Sequence, residues 1–262
     1  MDIENALIGY SGFVGSSLIR QQEFKYLYRS TNISEIQNKS FHTVVCAGVS
    51  ALKWWANKNP EEDKRSIDSL MANLSTIKCD KFILISTVDV FSRPQAVVES
   101  TSIDATDLDP YGSHRYQFEQ FVRNQFPDCL IIRLPGLVGP GLKKNVIYDF
   151  LNNNNLNTID SRSIFQFYPI VNLWTDIQVA IENECKLMHL TSVPISVKEI
   201  AIRCFNIEFS NQLQNAPAEY DFRTELAHLF QCKGQYQYSK AELLLAIRDY
   251  MQYHSFALSS NR

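Results

Sequence analysis

Gly9-Tyr10-Ser11-Gly12-Phe13-Val14-Gly15 follows the short apolar run Ala6-Leu7-Ile8 and leads into Ser16-Ser17-Leu18-Ile19. This order predicts a strand, a tight turn and a helix from about Gly12 to Gln22. Glycines at this spacing let the backbone approach a pyrophosphate closely. The amides at the start of the following helix then point partial positive charge at the anion. Glycine turns after strands are common, so the motif gains weight only from its flanks and from chemistry further along the chain.

Outward from the turn, strands and helices alternate. Phe24 to Arg29 reads as a second strand and Thr43-Val44-Val45-Cys46 as a third, ending at Ala47-Gly48. A helix is expected from about Pro60 to Ile77. Pro60 suits its first turn, Glu61, Glu62 and Asp63 match its positive end, and Ile67, Leu70, Met71 and Leu74 form the buried stripe. Phe82-Ile83-Leu84-Ile85-Ser86 is apolar enough for a strand covered on both faces. Asp109 caps a further helix that opens at Pro110 and runs to about Asn124, and Cys129 to Arg133 is a fifth strand.

Alternation of this kind builds a doubly wound α/β fold, a parallel sheet with right-handed crossovers and helices on both faces. Later signals are sparser: a helix from about Lys144 to Leu151, a short strand near Leu187-Met188-His189-Leu190, and capping boxes at Ser196/Glu199 and Ser239/Glu242. The second box opens a helix expected to reach about Tyr253. The division expected is a dinucleotide-binding Rossmann domain over residues 1–140 and a small substrate lobe over 141–262, with segments returning to the core.

The chain of 262 residues, 45% hydrophobic and 20% charged, has the composition of a globular protein with a sizeable core. A net charge of −3 with scattered Lys and Arg argues against a nucleic-acid footprint or an anionic-membrane surface. The first strand begins within a few residues of Met1, and no apolar run approaches the roughly 20 residues of a membrane span. The six cysteines are widely spaced with no Cys-x-x-Cys pair, so neither a disulfide framework nor a zinc site is expected, and the histidines lack metal-ligand spacing. Together these lead to the expectation of a protein that works in a reducing cytoplasm.

Ligands of doubly wound sheets bind beyond the carboxyl ends of the strands. The fourth strand delivers Ser86-Thr87 there, followed by Val88-Asp89-Val90-Phe91. Downstream, Tyr111-Gly112-Ser113-His114-Arg115 opens a helix with Tyr111 and Arg115 one turn apart on one face. A phenol has a pKa near 10, and a neighbouring cation favours the phenolate and lowers that value. Tyr111, Arg115 and a hydroxyl across the cleft therefore suit proton transfer. An isolated Tyr-x-x-x-Arg is ordinary helix surface; the glycine turn and Ser86-Thr87 raise it to a site.

Gly-x-x-Gly-Phe-Val-Gly, the Ser-Thr at the fourth strand with its Val-Phe, and Tyr-Gly-x-x-Arg with Glu119 four residues on resemble the extended short-chain dehydrogenases. Within them the chain is most similar to the sugar-nucleotide epimerase, dehydratase and keto-sugar reductase group. Arg133-Leu134-Pro135-Gly136-Leu137-Val138-Gly139-Pro140-Gly141 and Trp174-Thr175-Asp176-Ile177 resemble later segments of that group. The resemblance implies that Gly9, Ser11, Gly12 and Gly15 surround the pyrophosphate while Phe13 and Val14 donate amides. Cys46, Ala47 and Gly48 would lie against the adenosine half, with Ser86 and Pro135 on the cofactor as well. Tyr111 would be the acid/base, Thr87 would hydrogen-bond the same substrate oxygen, and Arg115 would hold the cofactor and sustain the tyrosine.

Two positions depart from the family pattern. Arg115 stands where that pattern has lysine; it keeps the charge, but a planar guanidinium does not readily give up a proton. Gly136 stands where many relatives place a substrate-contacting asparagine. The chain is also short for the extended class, which implies a trimmed lobe.

About 20 residues after the glycine turn, a carboxylate would select NAD. Counting from Gly9 reaches Arg29-Ser30-Thr31 instead, which suits the 2′-phosphate of NADP rather than NAD. The expectation is an NADP-dependent oxidoreductase or epimerase acting on a nucleotide sugar. Its rival is a non-catalytic NADP-binding or sensor protein of the same fold, which the Arg115 substitution keeps open. Trp54-Trp55 suit core or subunit-interface area, and His114 reads as a bystander. Lys143, Lys144, Arg162 and Arg223 read as solvated basic residues that could meet a diphosphate. Relatives of this kind often dimerise through the helices beside the tyrosine, which puts a homodimer among the expectations.

Overall fold

The computed structural model describes residues 4–260, which form two compact units. Among the described residues, the first comprises those up to 92 with 100–133 and 174–188, and the second comprises 93–99, 134–173 and those from 189 onward. Residues 93–99, inside the stretch expected to form the dinucleotide-binding domain, thus belong to the second unit.

In the first unit β1 (Asn5–Ile8) leads through the glycine turn to α1 (Phe13–Gln21) and β2 (Tyr26–Tyr28). β3 (Ser40–Cys46) follows, then α2 (Lys53–Lys58), α3 (Pro60–Leu74), β4 (Lys78–Thr87) and α4 (Pro110–Gln125). The strands Cys129–Leu134 and Leu187–His189 complete a six-stranded sheet, whose order runs Leu187–His189, Cys129–Leu134, β4, β3, β1, β2. β1 pairs in parallel with both β2 and β3, and β3 in parallel with β4. The winding direction therefore reverses at β1. Such a reversal opens a crevice beyond the carboxyl ends of β1 and β3, where doubly wound sheets bind their ligands.

Strand periodicity explains the layers. Ala6, Ile8, Val44, Cys46, Phe82 and Leu84 pack with Ile67, Leu70, Leu74, Phe118 and Val122 of α3 and α4 in one buried cluster. The intervening Leu7, Val45 and Ile83 are also fully buried and point to the opposite face. Phe82 stacks on Phe126 at 4.2 Å, and burial of each such side chain contributes about 1.5–3 kcal/mol.

Several boundaries differ from those the sequence predicts. β2 is three residues rather than the six from Phe24 to Arg29, and β4 extends back to Lys78 because β3 pairs with it from Ser40 onward. α3 stops at Leu74, short of Ile77. α2, with Trp54 and Trp55, is a separate turn that the sequence does not announce. Asp109 caps α4 as expected, its Oδ1 accepting from the Gly112 amide at 2.8 Å.

The second unit is built from two-stranded pieces. Gly136–Val138 pairs in parallel with Phe167–Pro169, Gln95–Val97 in parallel with Asp221–Phe222, and Ile164–Phe165 antiparallel with Ile195–Ser196. Buried polar groups tie these pieces together. Gln166 donates to Thr191 Oγ1 at 2.9 Å and accepts from the Phe222 amide at 2.6 Å. The Glu99 carboxylate accepts from the amides of His189 and Glu225, both at 2.8 Å. The capping box at Ser239 forms in both directions with Glu242, whereas Ser196 caps its helix by accepting from the Glu199 amide while the Glu199 carboxylate pairs with Lys240, and the last helix continues to Ser260, beyond Tyr253. No helix among the described residues is long and apolar enough to cross a membrane.

Candidate functional site

The turn after β1 is shaped by the absence of side chains. Gly9 has φ +86°, and its amide donates to Tyr28 O at 2.7 Å. A Cβ on Gly9 would stand 2.4 Å from Ala47 O, and one on Gly15 would stand 2.1 Å from Gly9 O. Neither position admits any other residue without moving backbone. Gly12 differs: its Cβ would meet nothing closer than Gly9 O at 3.4 Å, so the space before it is open. That open space lies at the N-terminus of α1, where the first amides have no intrahelical acceptor. Phe13 and Val14 contribute two of those amides. Amides at a helix N-terminus carry partial positive charge, which suits an anion.

Arg29 and Ser30 follow β2 on the exposed rim of the turn. The Arg29 guanidinium lies 5.8 Å from the Tyr10 ring centroid and donates from Nε to Thr31 Oγ1 at 2.9 Å. Among the described residues no carboxylate pairs with its guanidinium. Cys46 ends β3 fully buried, its thiol pushed up to about 12 by burial, with Ala47 and Gly48 against the glycine turn.

At the end of β4 the two hydroxyls diverge. Ser86 Oγ donates to Glu119 Oε1 at 2.6 Å. Glu119 is fully buried and takes Arg133 through both oxygens, at 3.0 and 2.6 Å. Ser86 therefore serves an internal ion pair. Thr87 Oγ1 accepts from the Asp89 amide at 3.2 Å, and its hydroxyl donates to Asp89 Oδ2 at 3.4 Å.

Tyr111 is 6% exposed in the first turn of α4, its amide donating to Asn57 Oδ1 at 2.9 Å. The sequence leads to the expectation that Arg115 lowers the phenol's pKa. Burial dominates instead and pushes it up, with Asp89 adding to the rise. Arg115, Thr87 and Lys53 act the other way without reversing it.

Arg115 is also held in a manner the sequence does not announce. It is 4% exposed, and its guanidinium carbon lies 3.8 Å from the Tyr111 ring centroid. Asp63 of α3 takes both terminal nitrogens, Nη1 at Oδ2 and Nη2 at Oδ1, the latter at 2.9 Å. Nη2 also donates to Ser50 O at 2.6 Å. His114 bonds the same carboxylate through Nδ1 at 2.8 Å, so it belongs to the cluster. The Arg115 Nε is buried and has no partner.

The remaining expectations fall elsewhere. Pro135 is buried in the second unit. At Gly136 a Cβ would meet Gln166 O at 2.8 Å, which excludes an asparagine without a backbone shift. Arg162 pairs with Asp160 at 2.6 Å and Arg223 with Asp221 at 2.5 Å, so neither is merely solvated. Trp54 is 67% exposed and supplies no core area. Three residues without a sequence signal complete the site: Asp63, Asn57 and Lys53.

No family model matches the chain, and no curated protein matches it in sequence. Solved structures match it in fold. A dTDP-4-dehydrorhamnose reductase from Clostridium acetobutylicum superposes with a TM-score of 0.72 at 14% identity, over 96% of this chain and 99% of that one. The Bacillus anthracis dTDP-4-dehydrorhamnose reductase, in complex with NADP, gives 0.71 at 17% identity, over 95% and 99%. A UDP-N-acetylglucosamine 4-epimerase from Methanobrevibacter ruminantium, in complex with UDP-N-acetylmuramic acid, gives 0.75 at 12% identity, over 98% and 99%. The chain thus shares the Rossmann-like α/β fold of these solved structures.

Proposed function

We propose that the protein is an NADP-dependent oxidoreductase or epimerase acting on a nucleotide-activated sugar or a similar keto or hydroxy compound. Reduction of a keto-sugar is the favoured case. The observation that carries this reading is that Thr87 ends β4 on the same side of the sheet as the glycine turn after β1, with the buried Tyr111 in the first turn of α4, which packs on β4. The fold's solved relatives, two reductases and an epimerase of sugar nucleotides by name, support the substrate class.

The bound dinucleotide would supply or take up hydride. Gly9, Gly12 and Gly15 would hold it, with the Phe13 and Val14 amides on its pyrophosphate. Arg29 and Ser30 would meet the 2′-phosphate, and Arg115 Nε the ribose nearest the phenol. Tyr111, kept protonated by burial, would give its proton to the substrate oxygen. Thr87 would orient that oxygen and stabilise the phenolate that results.

Arg115 bound to Asp63 favours the second reading, an NADP-binding protein without turnover. The two separate in one experiment: NADPH oxidation measured with nucleotide-linked keto-hexoses, wild type against Tyr111→Phe. Turnover reduced by about 10²–10⁴ in the variant, with NADPH affinity retained, is the expected result. Tight NADPH binding with no turnover by either protein refutes the enzymatic reading.

A further inference from the structure

The turn after β2 carries an exposed arginine that is less free than its exposure implies. The Arg29 amide donates to Asn32 Oδ1 at 2.7 Å, and the Asn32 amide donates to Arg29 O at 3.0 Å. Asn32 Nδ2 reaches back to Leu27 O, inside β2, at 3.1 Å. The Tyr28 carbonyl, one residue before Arg29, accepts from the Gly9 amide at 2.7 Å. The Arg29 backbone is therefore tied on one side to its own turn and on the other to the glycine turn.

Its side chain is tied to the same two places. Nε donates to Thr31 Oγ1 at 2.9 Å, and the guanidinium carbon lies 5.8 Å from the ring centroid of Tyr10, the second residue of the glycine turn. Tyr10 is half-buried, whereas Arg29, Ser30 and Thr31 are exposed. With Nε engaged, Nη1 and Nη2 have no protein partner among the described residues. Their N–H groups form the edge of a guanidinium that matches two oxygens of a phosphate. A surface arginine loses rotamer freedom when a ligand fixes it, and that loss weakens binding. Arg29 has lost part of that freedom before any ligand arrives.

We infer that Tyr10 and Thr31 are positioning residues for cofactor choice: they hold the Arg29 guanidinium ready for a phosphate monoester and so set the preference for NADP over NAD. This role rests on the reading of Arg29 as the contact to the NADP 2′-phosphate. The Tyr10 ring attracts the guanidinium to its face, and the Thr31 hydroxyl fixes the guanidinium plane by accepting at Nε. Tyr10 thus serves the 2′-phosphate through Arg29, although it stands in the turn assigned to the pyrophosphate. Each restraint is a single contact at the surface, so each effect is small and shows as a difference between the two cofactors.

Calorimetric titration of the full chain with NADPH and with NADH tests this role. Tyr10→Leu removes the ring and Thr31→Val removes the acceptor. Each should weaken NADPH about three-fold and leave NADH unchanged, which also serves as the control for folding. Tyr10→Phe and Thr31→Ser keep the ring and the hydroxyl and should restore the NADPH affinity of the wild type. Arg29→Ala combined with Tyr10→Leu should bind NADPH no more weakly than Arg29→Ala alone, because no guanidinium is left to position. Losses that add in the double variant, an equal loss of NADH in Tyr10→Leu, or wild-type NADPH affinity in both Tyr10→Leu and Thr31→Val overturn the positioning role alone. An Arg29→Ala variant that weakens both cofactors alike, or neither, overturns the 2′-phosphate contact on which the role rests.

Discussion

The glycine turn is shaped by backbone; the surroundings of Tyr111 are shaped by side chains. Both lie at the carboxyl ends of parallel strands of one sheet, yet they tolerate change differently. The turn works because Gly9 and Gly15 have no Cβ to collide with carbonyls 2.4 and 2.1 Å away, a property of those residues alone. The phenol's environment depends on Asp63, Ser50, Lys53 and Asp89, contributed by elements far apart in the chain. A backbone site is kept or lost by its own few residues. A side-chain site can be rewired by one partner, as Arg115 shows: it retains its charge while Asp63 opposes it.

The sharpest way to break this contrast is Asp63→Asn. Arg115 would remain buried without its counter-charge, and stability should fall by about 3–5 kcal/mol in denaturant unfolding. The Asp63 carboxyl is held below its ordinary 3.8, its bonds to Arg115 and His114 outweighing the opposing effect of burial. Its contribution is therefore fully present above pH 3.8 and lost as pH falls through the lowered folded value, so wild type and variant should converge only in acid. Equal stability at pH 7 would show that Asp63 does not restrain Arg115.

Next in size are two glycine substitutions that should separate folding from binding. Gly15→Ala forces a Cβ onto Gly9 O and should destabilise by about 1–3 kcal/mol. Gly12→Ala meets open space and should cost under about 1 kcal/mol, yet its methyl occupies the phosphate cradle. NADPH titrations of Gly12→Ala should show affinity lost at least about ten-fold with little change in melting temperature. Unchanged affinity would place the pyrophosphate elsewhere. The smallest effect is at the rim: Arg29→Ala should weaken NADPH by about ten-fold and leave NADH unaffected, as expected for one charge-assisted contact on an exposed side chain. Equal losses for both cofactors would refute a 2′-phosphate contact.

Much of this was legible beforehand because it is local. Glycine spacing, the strand apolarity of Phe82 to Ile85, and the Asp109-Pro110 cap each specify structure within a turn or two of themselves. Ser86 shows the limit. Its position at a strand end is readable, but not that its hydroxyl turns to Glu119, 33 residues away. α2 was illegible for a related reason. Its six residues carry no side-chain cap, and the turn packs against α3 and α4 rather than standing on propensity.

By itself the sequence determined the alternating architecture, the glycine turn and the presence of a tyrosine at a helix start beyond a strand end. The tertiary structure decided what surrounds that tyrosine. Asp63 meets Arg115 across 52 residues, and Lys53 meets Asp89 across 36. Hydrophobic period and turn chemistry act over a few residues, whereas a pKa follows from burial and from whichever charges folding brings alongside. The sign of the Tyr111 shift therefore appears only once the helices are packed.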